Sequence, residues 1–359
     1  MKILMLSRAT LYSSPGGDTV QVLETANHLR KKGVVVDVKL TNEDVIYANY
    51  DLIHFFNIIR PADILRHILK TTVPFAVSTI FVDYGEYEKK NRKGLLGFLN
   101  NIMPSDTIEY FKCIARFILN GEQIGGTNYL LWGHRKSIRY ILSKASVILP
   151  NSNSEYLRLH RKYNETPTYM VVPNAISTSN FVEDRFLIRK RDAVLCVGRV
   201  EGRKNQFNLI KAMNRLGYPT YIIGNHSPNS YKYYMQCKEI ANSNIQFIPH
   251  LSQDKLVEYY QKAKVHVLPS WFETTGLSSL EAAAMGCNIV VSPKGDTKEY
   301  FKDYASYCDP EDVDSITEAI KEQYDKETAA EFKDYILKNY TWDKAADKTL
   351  EAYKKVLQK

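Results

Sequence analysis

The run Trp271-Phe272-Glu273-Thr274-Thr275-Gly276-Leu277-Ser278-Ser279-Leu280-Glu281-Ala282-Ala283-Ala284-Met285-Gly286 constrains this chain more than any other stretch. Before it stands Val265-His266-Val267-Leu268-Pro269 and after it Asn288-Ile289-Val290-Val291-Ser292, each an apolar run suited to a short buried strand. The unit reads strand, loop, helix, strand, the repeat of a parallel α/β sheet. Gly276 falls where the loop turns into the helix, so the first N–H groups without an intrahelical partner, around Leu277 and Ser278, face whatever lies beyond the strand ends. The helix dipole favours an anion there, and a phosphate or pyrophosphate fits. Glu273, in the loop, can accept from a neutral polyol. Glu281, about one turn inside the helix, can accept from a ribose diol. The plain alternative is an ordinary amphipathic helix with one exposed glutamate, and the rest of the chain decides between the two.

The letters around the two glutamates, Phe-Glu-Thr-Thr-Gly-Leu-Ser-Ser-Leu-Glu-Ala-Ala-Ala-Met-Gly-Cys-Asn-Ile-Val-Val, resemble the signature of the retaining glycosyltransferases of family four. The resemblance implies the GT-B fold: α/β, two Rossmann-like domains facing each other across a cleft, with a C-terminal helix crossing back to the first domain. It also implies a nucleoside-diphosphate-sugar donor.

At 359 residues the chain is too long for one typical core and suits two domains of about 150 to 200 residues. Hydrophobic residues at 44% and charged ones at 25% are those of a globular protein. The opening Met1-Lys2-Ile3-Leu4-Met5-Leu6-Ser7-Arg8 has too short an apolar run for a signal peptide, and no later stretch approaches about 18 uncharged apolar residues. A cytoplasmic protein is expected, with peripheral contact to the inner face of a membrane as an option. The cysteines at 113, 196, 237, 287 and 308 are scattered without a C-x-x-C pair and read as core residues, not as disulfides or metal ligands. The net charge of +8, with basic clusters at 89–93 and 185–191, suits phosphorylated ligands or anionic lipid. Zinc-finger spacing, an RNA-binding sheet signature and a base-reading basic helix are all missing from the sequence, so no nucleic-acid partner is expected.

The pattern of strand, loop and helix runs twice. It opens with a strand at 2–7, a loop through Ser14-Pro15-Gly16-Gly17 and a helix capped by Asp18 with Val22, Leu23, Ala26 and Leu29 at helical spacing. Strands follow at Val34–Val38, Asp51–Phe56, Phe75–Thr79 and Ser146–Pro150. A charged stretch at 185–192 interrupts, and Ala193 to Arg199 starts a second set with strands at Thr220–Ile223, Ile245–Ile248, Val265–Leu268 and Ile289–Ser292. The expected domains are 1–185 for the acceptor, 186–339 for the donor, and a tail helix 340–359 carrying Trp342, Ala346, Leu350 and Tyr353 along one side. Ligands of open parallel sheets bind beyond the carboxyl ends of the strands.

Val197-Gly198-Arg199-Val200-Glu201-Gly202-Arg203-Lys204-Asn205 sets two cations at a strand mouth and a helix start. A departing nucleoside diphosphate gains negative charge as the glycosidic bond breaks, so fixed cations there act more strongly in the transition state. A solvated basic turn is the plainer reading. By resemblance, Arg199 and Lys204 fall where the family binds pyrophosphate, although Arg203 stands beside them. Gly16-Gly17 lacks a G-x-G-x-x-G fingerprint yet resembles the family's amino-terminal glycine loop, where backbone approaches ligand; a plain turn is the other reading. Asn174 matches the family's Pro-Asn-Gly segment, with Ala175 in place of glycine and Ser177 in place of the usual aspartate.

The histidine that many members carry would fall near Phe81, and none is there. Asp83 and Glu86 follow, and either can orient or deprotonate an acceptor hydroxyl, though a lone carboxylate in a loop is more often only solvated. His54 ends another strand and reads equally as a ligand contact or a satisfied core residue. After the cluster 89–93, Leu95, Phe98, Leu99 and Ile102 recur at helical spacing, so 89–103 suits either an anionic membrane surface or a buried helix. Asp312-Val313-Asp314 is a D-x-D string whose place after Pro310 at a helix start points to capping.

The resemblance thus implies a hexosyltransferase-type enzyme that moves a sugar with retention to a hydroxyl of a saccharide or lipid-linked glycan. The catalytic set is Glu273, Arg199, Lys204 and Asp83. The donor set is Gly16, Gly17, Arg199, Lys204, Glu273, Thr275, Gly276, Leu277, Ser278 and Glu281. No cofactor and no metal are expected, because cations and a helix terminus already neutralise the leaving group. The rivals are a sugar-nucleotide epimerase or phosphorylase relative, and a non-catalytic nucleotide-sugar-binding or scaffold subunit.

Overall fold

The computed structural model describes residues 1–91, 103–120, 127–177 and 191–358. The expected boundary at 185/186, the charged stretch 185–190 and the apolar stripe 95–102 lie outside the described residues. The chain divides into two compact units, Met1–Asn174 with Trp342–Lys359, and Ala175–Thr341.

The first unit holds five parallel strands: β1 (Lys2–Ser7), β2 (Val35–Leu40), β3 (Leu52–Phe56), β4 (Phe75–Ser78) and β5 (Val147–Leu149), in the order β2-β1-β3-β4-β5. β3 and β4 are buried along their whole length, which is why they read as unbroken apolar runs and not as alternating ones. The core joins Leu4, Ile53, Phe55, Val77 and Ile148 to Leu65 and Ile141 of flanking helices. The first helix, Gly17–Lys31, is capped by Gly16, not by Asp18. Arg8 takes the Asp18 carboxylate instead, with Nε at 2.6 Å, while Thr19 Oγ1 accepts the Gly16 N–H at 3.0 Å. Of its apolar positions Val22, Ala26 and Leu29 are buried, whereas Leu23 is 38% exposed. Val22, Ala26 and Leu29 follow one another at i, i+4 and i+7 on one face, with Thr19, Gln21 and Thr25 buried beside them, and Leu23 lies off that face.

The tail helix Trp342–Leu357 belongs to this unit and packs on the helix Gly17–Lys31. Lys32 reaches Asp343 at 3.5 Å and Asp347 at 2.8 Å, but these carboxylates are 70% and 64% exposed. Each such pair contributes under about 1 kcal/mol. Burial of Trp342 and Tyr353, at 2% and 0% exposure, contributes about 2 to 3 kcal/mol apiece and therefore holds the helix.

The second unit is a six-stranded parallel sheet of β6 (Ala193–Val197), β7 (Thr220–Ile223), β8 (Ile245–Ile248), β9 (Ala263–Leu268), β10 (Asn288–Val291) and β11 (Ser306–Tyr307). Their order is β11-β10-β9-β6-β7-β8. β11, two residues long, has no counterpart in the sequence reading; a piece that short carries no periodicity. Gly217 in the left-handed region ends the helix Gln206–Leu216, which starts from Asn205, itself at φ +61°. Two Rossmann-like sheets and a C-terminal helix are the elements of the architecture the resemblance implies. In the second sheet the strand order reverses between β6 and β9, the place where open α/β sheets receive ligands.

Candidate active site

Each expected residue of the second unit lies on the carboxyl side of that reversal. β6 ends at Val197, and Gly198 and the exposed Arg199 follow. The turn Gly202–Lys204 then leads into Asn205, whose amide donates to Pro269 O at 3.2 Å and to Pro310 O at 2.7 Å, pinning the β6 loop to the segment beyond β9. Trp271 N–H donates to Arg203 O at 2.9 Å and tightens the same junction. The two loops so joined bring Lys204 Nζ to 2.5 Å from Glu273 Oε1. Both side chains are mostly buried, at 24% and 12% exposure, so screening of this pair is weak. Arg203 is occupied elsewhere, donating to both oxygens of Glu201 at 3.1 and 3.0 Å. The structure thus separates two cations that the sequence left interchangeable.

Glu273 is held through its backbone. Its N–H donates to Lys294 O at 3.1 Å and its carbonyl accepts from Asp296 N–H at 2.9 Å, with Gly295 between them. Gly295 has φ +101°, and a Cβ there would sit 2.0 Å from Glu273 O. No other residue fits. The string Pro293-Lys294-Gly295-Asp296 marks a turn, but its partner was invisible in the sequence.

Gly276, at φ +72°, caps the helix Leu277–Ala284. Ser278 Oγ donates to Val197 O at 2.9 Å and ties this helix start to the end of β6. Thr275 and Ser270 are buried at 1% and 0% exposure, and among the described residues their hydroxyls make no hydrogen bond, nor does Nε2 of the buried His266. His266 lies on β9 with Nδ1 3.4 Å from Ser279 Oγ; burial first, and the Lys204 charge second, push its pKa down to about 3 and keep it neutral. Burial also pushes the Cys196 thiol up to about 12, against the pull of Lys204, so this cysteine is no nucleophile.

Glu281 sits in the second turn of that helix, where Tyr260 OH donates to Oε2 at 2.8 Å and Gln253 Nε2 to Oε1 at 3.2 Å. Burial raises its pKa to about 7, and those two donors only partly oppose the rise. Tyr260 and Gln253 belong to the helix Gln253–Lys262 and escaped the sequence reading, because nothing local links them to position 281.

In the first unit the loop from β1 to the Gly17 helix is organised by Arg8, which also donates to Thr10 O at 2.7 Å and Ser14 O at 2.9 Å. The Gly16 N–H is already given to Thr19. Phe81, where the family histidine would fall, is buried at 1% exposure in the core, while Asp83 is exposed and its Oδ1 accepts the Gly85 N–H at 2.9 Å. His54 is a core residue: wholly buried, with Nδ1 2.7 Å from Tyr353 OH, Nε2 2.9 Å from Ser78 Oγ, and a pKa lowered by burial to about 3. Asp312 caps the helix Val313–Asp325, its Oδ1 accepting the Asp314 N–H at 2.8 Å, and Asp314 pairs with Arg215. Among the described residues no three His, Cys, Asp or Glu side chains converge, and no helix is long and apolar enough to cross a membrane.

Residues 180–340 match the family model described as Glycosyl transferases group 1. The chain is 23% identical over 240 residues to an O-antigen chain mannosyltransferase B of Escherichia coli, covering 61% of this chain and 63% of that one. It spans less than two thirds of the length of the curated relatives it matches. Among solved structures it resembles a sucrose-phosphate synthase of Thermosynechococcus elongatus, with TM-score 0.78, 15% identity and coverage of 100% and 99% of the two chains. It also resembles Anabaena HepE in complex with UDP, with TM-score 0.71, 13% identity and coverage of 99% and 100%.

Proposed function

We propose that this chain, whose residues 180–340 match the glycosyl transferases group 1 model, is a member of that family and transfers a sugar from a nucleoside diphosphate sugar to a hydroxyl of a saccharide or lipid-linked glycan, with retention. The observation that carries the reading is the meeting of Lys204 with Glu273 at 2.5 Å, beside a helix start, where the strand order reverses. A donor bearing a sugar on a diphosphate needs a cation and a hydroxyl acceptor side by side, and this pair supplies both.

Lys204 and Arg199 hold the diphosphate and neutralise it as the glycosidic bond breaks. Glu273 accepts from the sugar hydroxyls, and Glu281 accepts from the ribose. The N–H groups around Thr275 to Ser278 face the phosphate or the sugar, and the buried hydroxyls of Ser270 and Thr275 have hydrogen-bonding capacity to offer in the same loop. Front-side attack leaves the proton of the acceptor hydroxyl to the departing phosphate oxygen, so no enzymic nucleophile is needed. Asp83, exposed at the carboxyl end of β4, orients the acceptor. UDP in the HepE structure is a property of that protein and supports a nucleotide donor here.

The test is incubation with UDP-glucose, GDP-mannose and ADP-glucose and a panel of cell-derived glycolipids, reading nucleoside diphosphate release and the anomeric configuration of the product by NMR. One donor giving a product of retained configuration is expected. An inverted product overturns the stereochemistry, and tight nucleotide binding without any product overturns the catalysis in favour of a binding subunit.

A further inference from the structure

We infer that Glu155 is a positioning residue for the transfer reaction: its buried carboxylate holds the turn Thr79–Phe81 at the carboxyl end of β4 and so sets where the segment bearing Asp83 meets the acceptor. This role rests on the function proposed above.

The backbone leaves β4 already fixed, since Ser78 O and Thr79 O accept the N–H groups of Asn57 and Ile58, each at 2.9 Å. The next residue, Ile80, takes φ +42°. A β-branched residue rarely adopts that left-handed conformation, which glycine or asparagine ordinarily occupies. It persists only where the surroundings over-determine it, and such strain gathers at functional sites.

The surroundings here do over-determine it. Glu155, 0% exposed, accepts from Thr79 Oγ1 and from Phe81 N–H at 2.8 Å, one donor on either side of Ile80. Arg158 Nη2 donates to Phe81 O at 3.1 Å. Lys162 Nζ lies 5.5 Å over the Phe81 ring, and the Tyr163 ring is 6.0 Å away. These four side chains come from one face of the helix Asn153–Tyr163, at the spacing i, i+3, i+7 and i+8. Ser152 caps that helix by accepting the Glu155 N–H at 2.8 Å. Ser152-x-x-Glu155 has the spacing of a capping box; Oε2 of the carboxylate accepts the N–H of Asn151, just before the cap, at 2.9 Å, while Oε1 reaches across to the neighbouring strand end. Past the clamp the chain runs to the exposed Asp83 and the helix Gly85–Asn91. A change of direction at Ile80 would swing that carboxylate.

The experiment compares wild type, Glu155→Gln, Ile80→Gly and the double variant, all assayed below the melting transition of the least stable. Glu155 Oε1 holds both donors that flank Ile80 and Oε2 accepts the Asn151 N–H at 2.9 Å, so a glutamine amide of the same size must set its NH2 against one of these N–H or O–H donors in either orientation, and the hold on the turn weakens. Expected are a fall of at least tenfold in kcat for Glu155→Gln and a nucleoside diphosphate affinity within twofold of wild type. Turnover should recover to within about threefold in the double variant, because glycine adopts φ +42° without a clamp. Glu155→Gln with unaltered kcat, or a loss that Ile80→Gly leaves unrestored, overturns the role while the transfer reading stands. A wild-type chain that transfers to no acceptor overturns the transfer reading, and this role with it.

Discussion

At the scale of the residue, Glu281 makes the sharpest commitment. Its pKa of about 7 in the folded chain lies above the ordinary 4.5, so the folded state holds a proton there that the unfolded chain has lost. The resulting stability is fully present below pH 4.5 and is lost as pH rises through 7, a change on the order of 3 kcal/mol. Urea denaturation at pH 5 and pH 8 should show that loss, and Glu281→Gln should flatten it; an equal slope in the variant rules the carboxyl out as its source. A ribose diol prefers the ionised form, so nucleotide affinity should rise about tenfold from pH 6 to pH 8. Titration calorimetry in two buffers should show the matching proton release, and a pH-independent affinity would remove Glu281 from the ribose role. Gly295 carries a second prediction. Alanine there meets the Glu273 carbonyl and costs about 1 to 3 kcal/mol of stability, with weaker nucleotide-sugar binding as Glu273 shifts. An unchanged melting temperature would contradict it. The sequence showed Glu273, Glu281, Lys204 and Gly276 because their chemistry depends on neighbours a few positions away. It hid Gly295, Tyr260 and Gln253, whose meaning comes from contacts across the fold.

At the scale of the element, the strands were legible because parallel strands covered on both faces are continuous apolar runs. β7 and β8 stand where the sequence placed them, whereas β2 extends to Leu40 and β9 starts at Ala263. The first cap was not legible, since Arg8 draws Asp18 away from it and only the folded loop brings those residues together. The tail helix joins both levels. Its apolar stripe was visible, but the anchoring of Tyr353 on His54 was not. Tyr353→Phe leaves the buried His54 Nδ1 without this partner and should cost about 1 to 3 kcal/mol in urea denaturation. It should leave nucleotide affinity untouched, because the proposed diphosphate contacts of Lys204 and Glu273 lie in the second unit. A loss of affinity equal to that of a Lys204 variant would contradict this separation.

At the scale of the whole molecule, two parallel sheets each reverse their strand order, and the expected donor residues of the second unit, from Arg199 to Glu281, stand at the reversal between β6 and β9, whereas Gly16 and Gly17 belong to the first unit. Fold-level logic points to that place, and the side chains found there have the right chemistry for a diphosphate next to hydroxyls. The Lys204–Glu273 pair is the centre of the account, so its most direct test is calorimetric binding of UDP, GDP and ADP to wild type and to Lys204→Ala. One nucleotide should bind, and the variant should bind it roughly 10 to 100 times more weakly, the loss of one charge-assisted contact of about 1.5 to 3 kcal/mol. Equal binding by wild type and variant, or no binding of any nucleotide, would contradict the account.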